Sequence, residues 1–183
     1  MRPTPDFRGF ISVDIEASGP NPSQYSMLSL GACSVEDPSA TFYTELRPTS
    51  SLVVPEAMAV HGLSLDRLQS TGTPPELAMA SFETWVRDQS PAGAPPVFVA
   101  YNAAFDWMFV CDYFHRTLGR NPFGHTALDI RAAYFGRTAQ PWRDLRFADL
   151  AEQFLGSRAL THNALEDAQM QARLFLKIMA EAG

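Results

Sequence analysis

The run Phe10-Ile11-Ser12-Val13-Asp14-Ile15-Glu16-Ala17-Ser18-Gly19 constrains this chain more than any other stretch. It starts apolar and β-branched, as a strand does, and ends in two carboxylates and a small-residue turn. Side chains of a strand alternate faces, so Asp14 and Glu16 point one way while Val13 and Ile15 enter the opposite layer. Two like charges side by side repel unless a cation, proton or basic group lies between them, and a hard divalent ion with oxygen ligands is the simplest neutraliser. Alone, an Asp-x-Glu pair is more often a solvated strand end, so further ligands in the chain must decide.

A chain of 183 residues with 46% hydrophobic content fills one core and is too short for two. Residues 1–183 therefore read as a single domain, with 1–8 as a loose, proline-containing leader. Cys33 and Cys111 lie in apolar surroundings without metal-type spacing and read as buried free thiols of a reducing compartment. No secretory signal and no bilayer-length apolar run is present, so a cytoplasmic protein without a membrane partner is expected. Net charge is −6, which argues against nucleic-acid binding through a general basic surface. The basic excess is local: residues 1–115 carry five Arg against thirteen acids, residues 116–183 nine Arg or Lys against seven.

Strands are expected in the 10–19 run, before its small-residue turn, and at 27–35 and 42–46, joined by hairpin-like turns rich in Pro, Ser, Asp and Gly. Short helical pieces follow at 55–61 and 64–68, and an amphipathic helix begins at Pro74. The fully apolar Val97–Ala100 reads as a central strand covered on both faces. Asn102 opens a turn into a helix ending before Gly119, and helices are expected at 128–135, 147–154 and 163–180. Three strands, helix, strand, then helices describe an α/β layered domain.

Two further stretches offer acids. Asp106 falls in Tyr101-Asn102-Ala103-Ala104-Phe105-Asp106, in the first turns of a helix, where a carboxylate also complements the dipole. Thr161-His162-Asn163-Ala164-Leu165-Glu166-Asp167 puts His162 at the mouth of the last helix and an acid on its first turns. Glu166 and Asp167 lie about 100° apart on a helix, so only one faces the pocket squarely.

In this order the motifs resemble the DnaQ-like or DEDD exonucleases, in the subgroup with a His-x-x-x-x-Asp arrangement, a family that includes ribonuclease T, oligoribonuclease and polymerase proofreading subunits. Val60-His61-Gly62-Leu63 resembles a softer family feature near the bound 3′ end. The resemblance implies an RNase H-like mixed sheet, three antiparallel strands then parallel strands, flanked by α-helices. It also implies metal-dependent 3′-to-5′ hydrolysis of single-stranded DNA or RNA ends, releasing nucleoside monophosphates. By the same resemblance Asp14 bridges two Mg2+ ions, Glu16 and Asp167 complete one ion's shell, Asp106 holds the other, and His162 takes the proton of the attacking water. Mn2+ is the expected substitute. Ala17, Ser18, Gly19, His61, Asn102 and Phe105 are then the residues around the substrate. Some relatives dimerise, so a homodimer is one expected assembly.

Physical chemistry supports these roles, since two ions about 4 Å apart activate a water and stabilise the leaving oxygen, and a histidine of reference pKa about 6.5 is largely neutral at working pH. Tyr25, Phe105, Trp107, Phe109, Tyr134, Trp142 and Phe147 are candidates to stack on bases, although helical spacing places Phe105 and Phe109 in the core. Arg131, Arg137, Arg143 and Arg146 either neutralise the substrate backbone or form a solvated basic face. A non-catalytic nucleic-acid or partner-binding module on the same fold is the alternative function. A haloacid-dehalogenase-type phosphatase fits poorly, because Glu16 stands where that family has Asp and the single lysine, Lys177, comes too late in the chain.

Overall fold

Strand β1 (Phe10–Ala17) pairs on both sides, antiparallel with β2 (Met27–Ser34) and parallel with β4 (Val97–Ala100). The computed structural model describes residues 6–156 and 161–180. Of the leader expected at 1–8, residues 1–5 lie outside those described.

Five strands form one open sheet in the order β3-β2-β1-β4-β5, with β3 at Thr41–Glu45 and β5 at Ala127–Asp129. The first three strands are antiparallel and the last two pair parallel to β1 and β4, a mixed α/β sheet of the RNase H-like kind. Between β3 and β4 come α1 (Pro55–His61), α2 (Leu65–Thr71) and α3 (Pro75–Asp88). Helix α4 (Ala104–Leu118) follows β4, and α5 (Ile130–Thr138), α6 (Phe147–Leu155) and α7 (Ala164–Ala180) follow β5. Among the described residues no helix is long and apolar enough to cross a membrane.

Strand alternation divides the core as the sequence predicts. Ile11, Val13 and Ile15 pack with Phe82, Phe109, Val110 and Phe114 on the α3–α4 side. The opposite layer is built on Cys33, Val99, Ile130, Ala172, Phe175 and Ile178. On that face the Ser12 hydroxyl donates to the Ala168 carbonyl at 2.8 Å, seating α7 against the sheet. Gly31, paired with Asp14 in the β1–β2 register, lets α7 come this close: a Cβ there would lie 2.2 Å from the Ala164 carbonyl carbon and the Leu165 nitrogen.

Two expectations need correction. The segment read as a helix over 128–135 opens with β5, and α5 begins at Ile130. Asp129 makes the break, because its Oδ1 caps α5 by accepting from Ala132 N and its Oδ2 accepts from Ala103 N. A strand of three residues is too short to show a period. Cys33 is a buried free thiol as expected, but Cys111 is only partly buried.

Candidate active site

The carboxylates sit where β1 outruns its parallel neighbour. Pairing with β4 stops at Ser12–Val99. Beyond it β4 ends at Ala100 and the chain turns into α4, so the later part of β1 borders a crevice at the carboxyl end of a parallel pair. Asp106, on the first turn of α4, fills the lost pairing: its Oδ1 accepts from Ile15 N at 3.1 Å. Asp14 and Glu16 project from the α7 side of β1, opposite Val13 and Ile15.

Helix α7 closes the crevice with Asp167. Its Oδ1 accepts from Thr161 N at 3.0 Å and from the Thr161 hydroxyl, and its Oδ2 accepts from His162 N at 3.0 Å. Asn163 Oδ1 accepts from Leu165 N and Glu166 N and so starts the helix. His162 takes a positive φ of 54° in this turn and leaves its side chain exposed at the rim. The choice between the two acids is resolved: Asp167 is buried in the cleft wall and Glu166 is exposed.

Asp14, Glu16, Asp106, His162 and Asp167 all line one cleft of about 230 Å³, with Tyr101, Asn102, Phe105, Phe147 and Gln171. Ligand atoms of Glu16, His162 and Asp167 lie within 4.8 Å of one another. Among the described residues none of the four acids is in an ion pair. Burial, then the charges of Asp106, Glu16 and Asp167, push the Asp14 carboxyl well above the usual range. Burial, then Asp167 and Asp106, push Glu16 up to about 8. Asp106 is pushed up to about 7 by burial, against the backbone amide of Ile15.

A second, mostly apolar cleft of about 320 Å³ adjoins the first, with Glu16 and Phe105 in both walls. Ala17, Gly19, Val60 and His61 line it. Leu63 N donates to His61 Nδ1, so the ring proton is on Nε2, which faces the Ala17 carbonyl at 3.3 Å. Ser18 lines neither cleft: its hydroxyl donates to the Leu52 carbonyl and accepts from Ser26 N.

The aromatic candidates separate by environment. Phe109 is buried, whereas Phe105 is 37% exposed between the two clefts, against its expected place in the core. Phe147 edges onto Tyr101 in the acidic cleft. Tyr134 is buried, and Trp107 packs on Phe98. Of the arginines, Arg137 donates to the Ile178 carbonyl, Arg146 to Asp149, and Arg131 to the Trp142 carbonyl while stacking over that indole. Sequence reasoning missed Gln171 and Asp129. A polar residue one helical turn after Asp167, on the face that meets the sheet, was the available signal for the first.

Comparison with known proteins gives concordant results. Residues 11–175 match the RNase_T family of exonucleases. Cap18 of Escherichia coli, a 3′-5′ DNA exonuclease, is 46% identical over 166 residues, 91% of this chain and 89% of that protein. The solved nuclease domain of 3′hExo, a DEDDh family member bound to rAMP, superposes with a TM-score of 0.72 at 16% identity, covering 95% of this chain and 92% of that one. Escherichia coli exonuclease I in complex with a dA16 oligonucleotide gives 0.69 at 15% identity, covering 94% of this chain but 40% of that one. At such identities the two structures share the fold.

Proposed function

Since the chain belongs to the RNase_T exonuclease family and is a DnaQ-like 3′-5′ exonuclease, we propose that it shortens single-stranded DNA from the 3′ end in the acidic cleft. Residues 1–183 would act as one exonuclease domain, with two divalent ions, Mg2+ or in its place Mn2+, as cofactors. The observation that carries this reading is four carboxylates from three elements converging without a basic partner among the described residues.

The donor set fits such ions. Carboxylate oxygens suit a hard divalent cation, and the four acids, which repel one another, have no ion-pair partner among the described residues. Asp14, Glu16, Asp106 and Asp167 are the residues that would hold it. When bound, a divalent ion polarises the scissile phosphate and lowers the pKa of the attacking water.

The chain's own groups do the rest. His162 accepts the proton of the attacking water, standing exposed at the rim with its backbone pinned by Asp167. The new bond joins water oxygen to phosphorus, the bond from phosphorus to the bridging 3′ oxygen breaks, and that oxygen takes up a proton from solvent. The products are a nucleoside 5′-monophosphate and a strand with a fresh 3′-hydroxyl. His61 is unsuited to the base role, because both ring nitrogens are engaged by the backbone. It serves instead, with Ala17, Gly19, Asn102 and Phe105, to seat the terminal nucleotide, the base against the apolar cleft and the phosphate among the acids. Identity with Cap18 favours DNA over RNA.

The test is a time course on 5′-labelled single-stranded DNA and the same sequence as RNA, with and without Mg2+, resolved on a denaturing gel. A metal-dependent ladder shrinking from the 3′ end, faster on DNA, is the expected result. Intact strands of both kinds in Mg2+ and in Mn2+ would overturn the reading and favour a binding module.

A further inference from the structure

Asp14 is held by a side-chain amide, unlike Asp106 and Asp167, whose oxygens accept mainly from the backbone. The amide belongs to Gln171, four residues after Asp167 on α7 and therefore on the same helical face. Gln171 is 3% exposed, and both of its ends are used. Its Oε1 accepts from Tyr101 N at 2.7 Å and its Nε2 donates to Asp14 Oδ1 at 2.7 Å. The orientation is not arbitrary: a main-chain N–H can only donate, so the carbonyl end must face Tyr101 and the NH2 end must face Asp14.

We infer that Gln171 is a positioning residue for the hydrolytic centre, fixing the Asp14 carboxylate through one oxygen so that the other stays directed at a bound cation. The inference rests on the proposed role of Asp14 as a metal ligand. The chemistry of the side chain supports it. A lysine or arginine at this place would also satisfy Asp14, but its positive charge would compete with the cation for the acids. An apolar side chain would leave both Asp14 Oδ1 and Tyr101 N without these partners in a buried wall. A neutral amide orients the carboxylate and leaves the charge of the cluster intact. Its anchor on Tyr101 also ties α7 to the end of β4, so the strand's last residues and the acid on β1 share one support.

Two variants separate these functions. Gln171→Glu, assayed at alkaline pH so that its carboxyl is ionised, keeps an acceptor for Tyr101 N and loses the donor to Asp14, whereas Gln171→Met keeps the volume and loses both. Each is measured for kcat and KM on a single-stranded oligonucleotide, for Mn2+ binding by calorimetry and for thermal midpoint, beside Asp14→Asn. Removing a group that orients a metal ligand costs about 10- to 100-fold in affinity or activity, so kcat is expected to fall by that factor in both variants with KM unchanged. Mn2+ binding to Gln171→Met is expected to weaken correspondingly. Wild-type kcat and Mn2+ affinity in Gln171→Glu would overturn the inference and leave Gln171 as an anchor for Tyr101 alone, and this variant decides if Gln171→Met fails to fold. An inactive Asp14→Asn beside wild-type Gln171 variants would overturn only this inference. An active Asp14→Asn would overturn the proposed function and this inference with it.

Discussion

Glu83 on α3 and Asp106 on α4 are each 5% exposed, yet their surroundings treat them in opposite ways. Glu83 accepts from Arg120 at 2.6 and 2.8 Å and from Arg87 at 2.7 Å. Hydrogen bonding to Arg120, above all, holds its carboxyl below the usual range. Asp106 meets no arginine among the described residues, and burial pushes it up to about 7. Depth raises the one carboxyl and the arginine beside it lowers the other, so counter-charge as well as burial sets the state of a carboxylate in this protein. Glu83 staples α3 to the segment that follows α4, while among the described residues the acids of the cleft have no ion-pair partner.

The largest effect that would sharpen the contrast is on activity. Asp14→Asn or Asp106→Asn is expected to lower kcat by about 10³-fold or more, several kcal/mol of transition-state stabilisation, in a gel-based exonuclease assay. Turnover near wild type in both would break the comparison outright. Gly31→Ala should come next, because the added Cβ would press on the α7 backbone 2.2 Å away and displace Asp167 from Asp14. Overpacking of this kind costs about 1–3 kcal/mol, and loss of both stability and activity by melting and assay is the expected result.

pH should separate the two sites without mutation. Glu16 at about 8 and Asp106 at about 7 lie above their ordinary values of 4.5 and 3.8, so between those limits the folded chain binds more protons than the unfolded one. The thermal midpoint without metal should therefore fall as pH rises from about 4.5 to about 8, and divalent cation should flatten the slope. Glu83, shifted the other way, contributes stability present above its unfolded value and lost as pH falls through its folded one. The smallest effect is Glu83→Gln, which is expected to destabilise by about 1 kcal/mol in chemical denaturation, since both arginines remain largely solvated. Asp106→Asn should instead raise the metal-free midpoint at pH 8, and equal signs for the two would erase the distinction.

Each acid of the cleft stands at a readable local position, Asp14 and Glu16 by strand alternation, Asp106 just after an apolar strand, Asp167 at a helix start. Taken singly, each reads as an ordinary surface or capping carboxylate, and only the order of the motifs and the family they resemble joined them into one site. The supports were not legible. Gln171 and Asp129 act through partners 157 and 26 residues away, and no local pattern announces such a bond. For Ser18, its place in a motif says nothing of its hydroxyl turning to Leu52 and Ser26. Phe105 and Phe109 share a helical face in sequence, yet the end of α4 leaves one at the cleft and the other in the core.

Melting the wild-type protein and Asp106→Asn at pH 8, with and without millimolar Mg2+ or Mn2+, tests most directly whether the unpaired acids await a cation. A ligand that binds only the folded state raises its stability, so the wild-type midpoint should rise on adding metal and the variant's should rise far less. Identical midpoints with and without metal in the wild type would contradict the account.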